Sequence, residues 1–324
     1  MSQRITYEKP RRTARPVPAT RMVGPPAIRV AGLRKSYGPL AALDGVDLQV
    51  AAGELFALLG PNGAGKTTMV EIMEGYRDRT TGEVEVLGTD PRGAGGTWRE
   101  RVGMVLQESH MEPEFTAEEI LALFAGYYPH PLEVEEVLEL VGLEDQKDRR
   151  IGRLSGGQRR RLDVALALIG DPELLFLDEP TTGFDPAARR AFWRLIRSLR
   201  ERGKTVFLTT HYMEEAEALA DRVAIVVRGR IVAQGSPATL AREGGHTMIS
   251  FSLPASAAVE ELPLPLRRQS VHEGRQVVIG AVSPLASLSL LLNWARGRGY
   301  ELPDLEVKRP SLEDVYLTLT AEEQ

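Results

Sequence analysis

The sequence predicts an α/β domain built on a mostly parallel sheet with helices on both faces, followed by a small α+β appendage. Three observations predict it. Short apolar runs alternate with segments of helical spacing from Ala27 to about Ala238. A glycine-rich loop, "GPNGAGKTT" from Gly60 to Thr68, sits where one strand hands over to a helix. Near Ala238 the alternation stops. Alternating strands and helices place helices over both faces of a parallel sheet, and strands buried on both faces read as continuous apolar runs.

Each element follows from its local pattern. "AIRVAGLRKSY" and "VDLQVAAGELFALLG" read as short strands ending in turns, and "GKTTMVEIMEGY" has helical spacing. "TAEEILALFAGYY" and "LEVEEVLELVGL" are amphipathic helices with acids in their first turns, where the helix dipole favours negative charge. "ELLFLDEP" and "TVFLTTH" read as buried parallel strands, with the helix "PAARRAFWRLIRSLRERG" between them and "MEEAEALADR" after the second. In the appendage, strands are expected at "TMISFSL", "RQVVIGAV" and "LEVKR". Helices are expected at "LASLSLLLNWARG" and at "SLEDVYLTLT", the latter opened by a box of Ser311 and Asp314 after Pro310.

Composition narrows the function. The chain has 324 residues, 43% hydrophobic and 26% charged, with a net charge of −5, which gives no overall bias toward nucleic acid. It has no cysteine, so disulfides and thiolate chemistry are excluded, while the compartment stays open. No run approaches the ~20 apolar residues of a membrane-spanning helix. Residues 1–27 carry six basic residues against Glu8, with five prolines, and read as a disordered basic arm. No internal repeat and no second phosphate loop is visible, so the parts suffice for one nucleotide site.

The loop fits G-x-x-x-x-G-K-[ST] at Gly60, Gly65, Lys66 and Thr67, with Asn62, Gly63 and Thr68 completing it. Glycines let consecutive backbone N–H groups curve around an anion, Lys66 brings a point charge to the terminal phosphates, and Thr67 offers a hydroxyl to Mg²⁺. The apolar strand "LLFLDEP" ends in Asp178 and Glu179, at the edge where ligands of such sheets bind. Asp178 is placed to hold Mg²⁺ and Glu179 to polarise an attacking water, which implies hydrolysis. In "LSGGQRRRLDVALAL", Ser155 stands at an N-cap, Gly156 and Gly157 permit close backbone approach, and a helix follows. This is a second anion-favouring helix end.

With these residues in place, the chain resembles the nucleotide-binding subunit of the ATP-binding cassette (ABC) family, whose signature is this Leu-Ser-Gly-Gly-Gln, over about residues 28–240. The resemblance implies a phosphate-loop ATPase domain with a helical subdomain at about residues 108–170, and residues 241–324 as a separate α+β domain. It implies that Tyr37 stacks on adenine, that Gln107 touches Mg²⁺ or the attacking water, that Asp185 lies at a dimer seam, and that His211 contacts the γ phosphate. It further implies ATP and Mg²⁺ as cofactors, and a head-to-tail homodimer in which Ser155, Gly156, Gly157 and Gln158 of one copy face the nucleotide of the other. One departure is Phe184, where the family usually has leucine.

"RPSLEDVYLTLT" and "LDVALALIGDPELLFLDEPTTGFDP" resemble the ATPase subunits of antibiotic-type exporters related to the daunorubicin and doxorubicin resistance pumps. That branch implies export of a small molecule through a separate polytopic membrane subunit, with this chain at the cytoplasmic face of the membrane. The acidic run "ESHMEPE" after Gln107 falls where the family grips that subunit. An importer ATPase, or a soluble ABC ATPase acting on ribosomes or nucleic acid, stays open as the alternative. Nucleic acid is not the expected partner, since the basic arm is its only sign.

Overall fold

The computed structural model describes residues 25–106, 111–243 and 247–322, which divide into two compact units, one ending at Gly235 and one beginning at Ser236. The expected basic arm lies almost wholly outside the described residues, and Gln107 lies outside them too.

The first unit opens with strands β1 (Ile28–Tyr37), β2 (Leu40–Val50) and β3 (Leu55–Leu59), then helix α1 (Lys66–Met73) and β4 (Thr81–Val86). A short α2 (Gly96–Arg99) leads to β5 (Val102–Val105) and to helices α3 (Ala117–Ala125), α4 (Val134–Val141) and α5 (Gly156–Leu168). The chain then runs through β6 (Leu174–Asp178), α6 (Pro186–Glu201), β7 (Thr205–Thr210), α7 (Met213–Leu219), β8 (Arg222–Val227) and β9 (Arg230–Gly235). The main sheet has the order β5-β6-β7-β3-β8-β9, parallel except for the antiparallel last pair.

Strand periodicity explains why its runs are apolar throughout. On one face Leu55, Leu175, Leu177, Val206 and Leu208 pack with residues of α3 to α6. On the other Phe56, Leu58, Leu174, Phe176 and Phe207 pack with α1 and with β1, β2 and β4. Phe207 lies between Phe56, on which it stacks, and Phe176, to which it is tilted, with ring centroids 5.6 Å from each.

The structure departs from the expected alternation at the β8–β9 hairpin, which has no helix between its strands, and at the first strands. β1, β2 and β4 form a separate antiparallel sheet, ordered β2-β1-β4, that lies over the second face. Their burial gives the reason: Ile28, Val30, Leu48, Val50, Val84 and Val86 alternate with more exposed neighbours, the period of a sheet with one face on a core.

The second unit contains α8 (Pro237–Glu243), β10 (Thr247–Ser252), α9 (Leu264–Arg267), β11 (Ser270–Glu273), β12 (Gln276–Ala281), α10 (Pro284–Arg298), β13 (Glu306–Lys308) and α11 (Leu312–Glu322). Its sheet, β11-β12-β10-β13, is antiparallel throughout, and Ile249, Phe251, Val277, Ile279 and Leu291 form its core. The Ser311 box forms: Ser311 N–H donates to Asp314 (2.8 Å) and Asp314 N–H to Ser311 Oγ (3.3 Å). Among the described residues no helix is long and apolar enough to cross a membrane.

Glycine is required at Gly65, the residue that starts α1. Its φ is +103°, and a Cβ there would lie 2.6 Å from the Ala42 carbonyl oxygen and 2.9 Å from Leu43 Cδ2. Gly65→Ala is expected to lose about 1–3 kcal/mol of stability through this strain, read as a lower urea midpoint in unfolding of the full chain.

Candidate active site

Strands β6, β7 and β3 lie side by side and parallel, so their carboxyl ends meet at one edge of the sheet. Asp178 pairs with Thr209 and Leu59 with Thr210, which brings the phosphate loop, the two acids and His211 to the same level. In sheets of this kind ligands bind at this edge.

The loop from Gly60 leads into α1. Gly65 caps the helix without any side-chain hydrogen bond, so no side chain competes for its first-turn N–H groups. Asn62, Gly63 and Thr67 are exposed and Thr68 is half-buried. Lys66 is only 6% exposed. It donates to the carbonyls of Gly60 (2.8 Å) and Pro61 (3.3 Å) and lies 3.4 Å from Glu179 Oε1.

Asp178 ends β6 and its carboxylate accepts the hydroxyl of Thr209. Glu179 follows with φ +43°, a left-handed conformation that costs a non-glycine residue about 1–2 kcal/mol. Two bonds hold it there, from its N–H to the carbonyl (3.1 Å) and to the hydroxyl (3.0 Å) of Thr209. Its Oε2 meets His211 Nδ1 at 3.1 Å and Thr182 Oγ1 at 3.5 Å. One fully buried threonine thus positions both acids, an arrangement the sequence reading missed. The signal available was only its place in "TVFLTTH", beside the histidine.

Lys66, Asp178, Glu179 and His211 therefore form one connected group. The other expected residues engage elsewhere. Ser155 and Gln158 close a capping box on α5, with Gln158 N–H donating to Ser155 Oγ (3.2 Å) and Ser155 N–H to Gln158 Oε1 (2.8 Å). Ser155 and Gly156 are exposed and Gly157 is half-buried. Asp185 caps α6 through Ala187 N–H (2.8 Å) and Ala188 N–H (2.9 Å). Phe184 meets Phe192 edge-on at 5.7 Å. Tyr37 is 40% exposed, accepts from Arg77 through its hydroxyl (2.5 Å) and lies under Lys35.

Two further residues went unnoticed in the sequence. Arg160 on α5 donates to the carbonyls of Pro180 (3.1 Å), Asp178 (2.9 Å) and Leu106, and lies 3.6 Å from Asp163. It ties the signature helix to both acids' strand. Glu215 on α7 is fully buried and accepts from Thr181 Oγ1 (2.8 Å) and Trp193 Nε1 (3.0 Å), which anchors the turn after Glu179 to α6 and α7.

The donors fit a nucleotide with Mg²⁺. Bare N–H groups at a helix start favour an anion. Among the described residues no group of three or more His, Cys, Asp or Glu could hold a metal. Thr67 and Asp178 instead offer one hydroxyl and one carboxylate, the sparse set Mg²⁺ uses beside substrate phosphates.

A groove of about 800 Å³ lies on this unit, lined by the end of α1 at Glu74 and Tyr76, by Trp98, by β5 and by Phe124 and Asp163 on the helices. Burial, and then the charges of Asp178 and Glu71, push the Glu74 carboxyl up to about 8.

Comparison with known proteins agrees with this geometry. Residues 43–182 match the ABC transporter family model, and residues 247–311 match the C-terminal domain described as ABC transporter domain-containing protein-like. The chain is 42% identical over 303 residues to the Nod factor export ATP-binding protein I of Rhizobium meliloti, covering 92% of this chain and 89% of that one. It is 38% identical over 306 residues to the daunorubicin resistance ATP-binding protein DrrA3 of Streptomyces coeruleorubidus, covering 92% and 97%. Among solved structures, cbiO1 of Clostridium perfringens, part of the ABC transporter complex cbiONQ, superposes with TM-score 0.61 at 26% identity, covering 66% of this chain and 90% of that one. A dimeric bacterial ABC transporter cassette gives TM-score 0.58 at 26% identity, covering 64% and 98%. The phosphate loop, the paired acids and the signature helix therefore sit on a cassette fold, and the chain belongs to the ABC transporter family as an ATP-binding, ATP-hydrolysing subunit.

Proposed function

We propose that this subunit powers export of a small, drug-like or antibiotic-like molecule through a separate polytopic membrane subunit, from the cytoplasmic face of the membrane. The observation that carries the motor role is the buried contact of Lys66 with Glu179, joined to Asp178 and His211 at the ends of three adjacent strands. Support for export comes from the two relatives named for Nod factor export and daunorubicin resistance, matched along 92% of the chain. The groove beside β5, with its exposed Tyr76 and Leu106, supports a docked partner.

In this reading the phosphate loop, from Gly60 through Asn62, Gly63 and Gly65 to Thr68, cradles the phosphates of ATP, and Tyr37 stacks on its base. Thr67, Asp178 and Gln107 hold Mg²⁺, which neutralises charge on the phosphates. Glu179 takes the proton of the attacking water. His211, which contacts Glu179, keeps the carboxylate turned toward the phosphate loop. Two copies pair head to tail, so that Ser155, Gly156, Gly157 and Gln158 of one copy close on the phosphate held by Lys66 of the other, with Asp185 at the seam. Support for the pairing is the exposed start of α5, a second anion-favouring helix end in a chain with one phosphate loop.

These roles are open to test. Glu179→Gln should bind ATP normally but turn over at least ~100-fold more slowly and accumulate as a dimer in size-exclusion runs with ATP; turnover near the parent rate would remove Glu179 as the base. Lys66→Ala should lose affinity for a fluorescent ATP analogue in equilibrium titration. Thr209→Val takes one donor from a buried carboxylate and one acceptor from a strained backbone. It should cost about 1–3 kcal/mol in stability together with a lower kcat, measured by denaturation and steady-state hydrolysis. Finally, the Glu179→Gln chain purified with ATP from its native membranes should carry a polytopic membrane protein; ribosomal proteins or nucleic acid in its place would reassign the motor.

A further inference from the structure

The histidine that meets Glu179 packs on an aromatic ring. Tyr212 lies against His211 with ring centroids 4.1 Å apart and planes inclined by 41°. Its N–H donates to Thr210 Oγ1 (3.0 Å), and its carbonyl accepts the N–H groups of Glu215 (3.2 Å) and Ala216 (3.4 Å), which fixes the backbone at the start of α7. The ring is met from α6: the guanidinium carbon of Arg189 lies 4.5 Å from its centroid. Arg189 stands at the end of the first turn of α6, near the positive end of the helix dipole, where a cation is disfavoured. Among the described residues it has no ion pair, and its Nε is buried without a hydrogen bond. One turn further along α6 Trp193 donates to Glu215, so α6 is joined to α7 without it. What Arg189 adds is confined to the ring beside His211.

We propose that Arg189 and Tyr212 are positioning residues for hydrolysis: the guanidinium holds the Tyr212 ring, the ring holds the His211 imidazole, and the imidazole holds the Glu179 carboxylate toward the phosphate loop. The contacts form one chain of 4.5, 4.1 and 3.1 Å. A half-buried imidazole brings Nδ1 to Glu179 in only some of its rotamers, and packing on one ring selects among them. A cation suits the far end of the chain because the face of an aromatic ring is negative. This deepens the hydrolytic reading and rests on it, because it presumes that Glu179 is the base and that His211 orients it.

The test uses the full chain and steady-state hydrolysis of ATP. Tyr212→Leu and Arg189→Met should each lower kcat at least ~10-fold while KM and the affinity for a fluorescent ATP analogue stay within about twofold, because neither residue holds the nucleotide. Tyr212→Phe keeps the ring and should retain kcat within about threefold of the parent. The double variant should be no slower than Tyr212→Leu alone, since both changes act through one ring. Arg189→Met deletes no buried apolar group, so it carries the test by itself if Tyr212→Leu fails to fold. A parent kcat in Arg189→Met, a fall in kcat matched by a rise in KM, or a further loss in the double variant overturns the proposal. Glu179→Gln separates the two readings. If it is inactive while Arg189→Met is unimpaired, the proposal falls and the role of Glu179 stands. If Glu179→Gln turns over near the parent rate, that role falls and takes the proposal with it.

Discussion

The contact on which the rest of the molecule depends is the approach of Lys66 to Glu179 at 3.4 Å, between side chains 6% and 12% exposed. Charges so far from water must be paired, or they shift to their neutral forms. Pairing them requires that β3 and β6 end at the same level, with β7 between them to supply Thr209. It also requires the chain to turn sharply out of β3. At Gly60 a Cβ would lie 2.5 Å from the Val226 carbonyl oxygen, so only glycine lets the loop pass beneath β8. The parallel sheet, its apolar strands and the glycines of the loop all serve to hold one ammonium against one carboxylate.

Much of this was legible because the carrying signals are short and linear. The phosphate loop, "LLFLDEP" and the Ser155 cap each lie within a dozen residues, and local rules of turn, strand end and helix start suffice to place them. Three things were not legible. The antiparallel sheet of β1, β2 and β4 pairs strands up to 58 residues apart, as Ile28 does with Val86, and no rule of alternation specifies that pairing. Arg160 reaches Leu106 across 54 residues, and Thr181 reaches Glu215 across 34. Glu74 looks in the sequence like any acid at the end of an amphipathic helix. Only the fold reveals that it is buried.

Strain and buried polar groups are concentrated at one end of this unit. Glu179 holds a left-handed backbone, burial pushes the Glu74 carboxyl up to about 8, and one oxygen of Glu215 is buried without a hydrogen bond. The hydrophobic layers on either face of the sheet supply the stability that tolerates them. Local rules are broken where the chemistry is, as expected when a stable scaffold supports a reactive edge.

The Arg160 tie has a corollary. The carbonyls it binds at Leu106, Asp178 and Pro180 belong to the backbone, which every amino acid carries. The tie itself therefore asks nothing of the side chains at 106 and 180, and requires only the arginine. A lysine, a compact ammonium on a flexible stem, lacks the planar fork that reaches three diverging carbonyls. The spacing between the signature helix and the acids is thus set by backbone and one guanidinium, not by the side chains that face outward there.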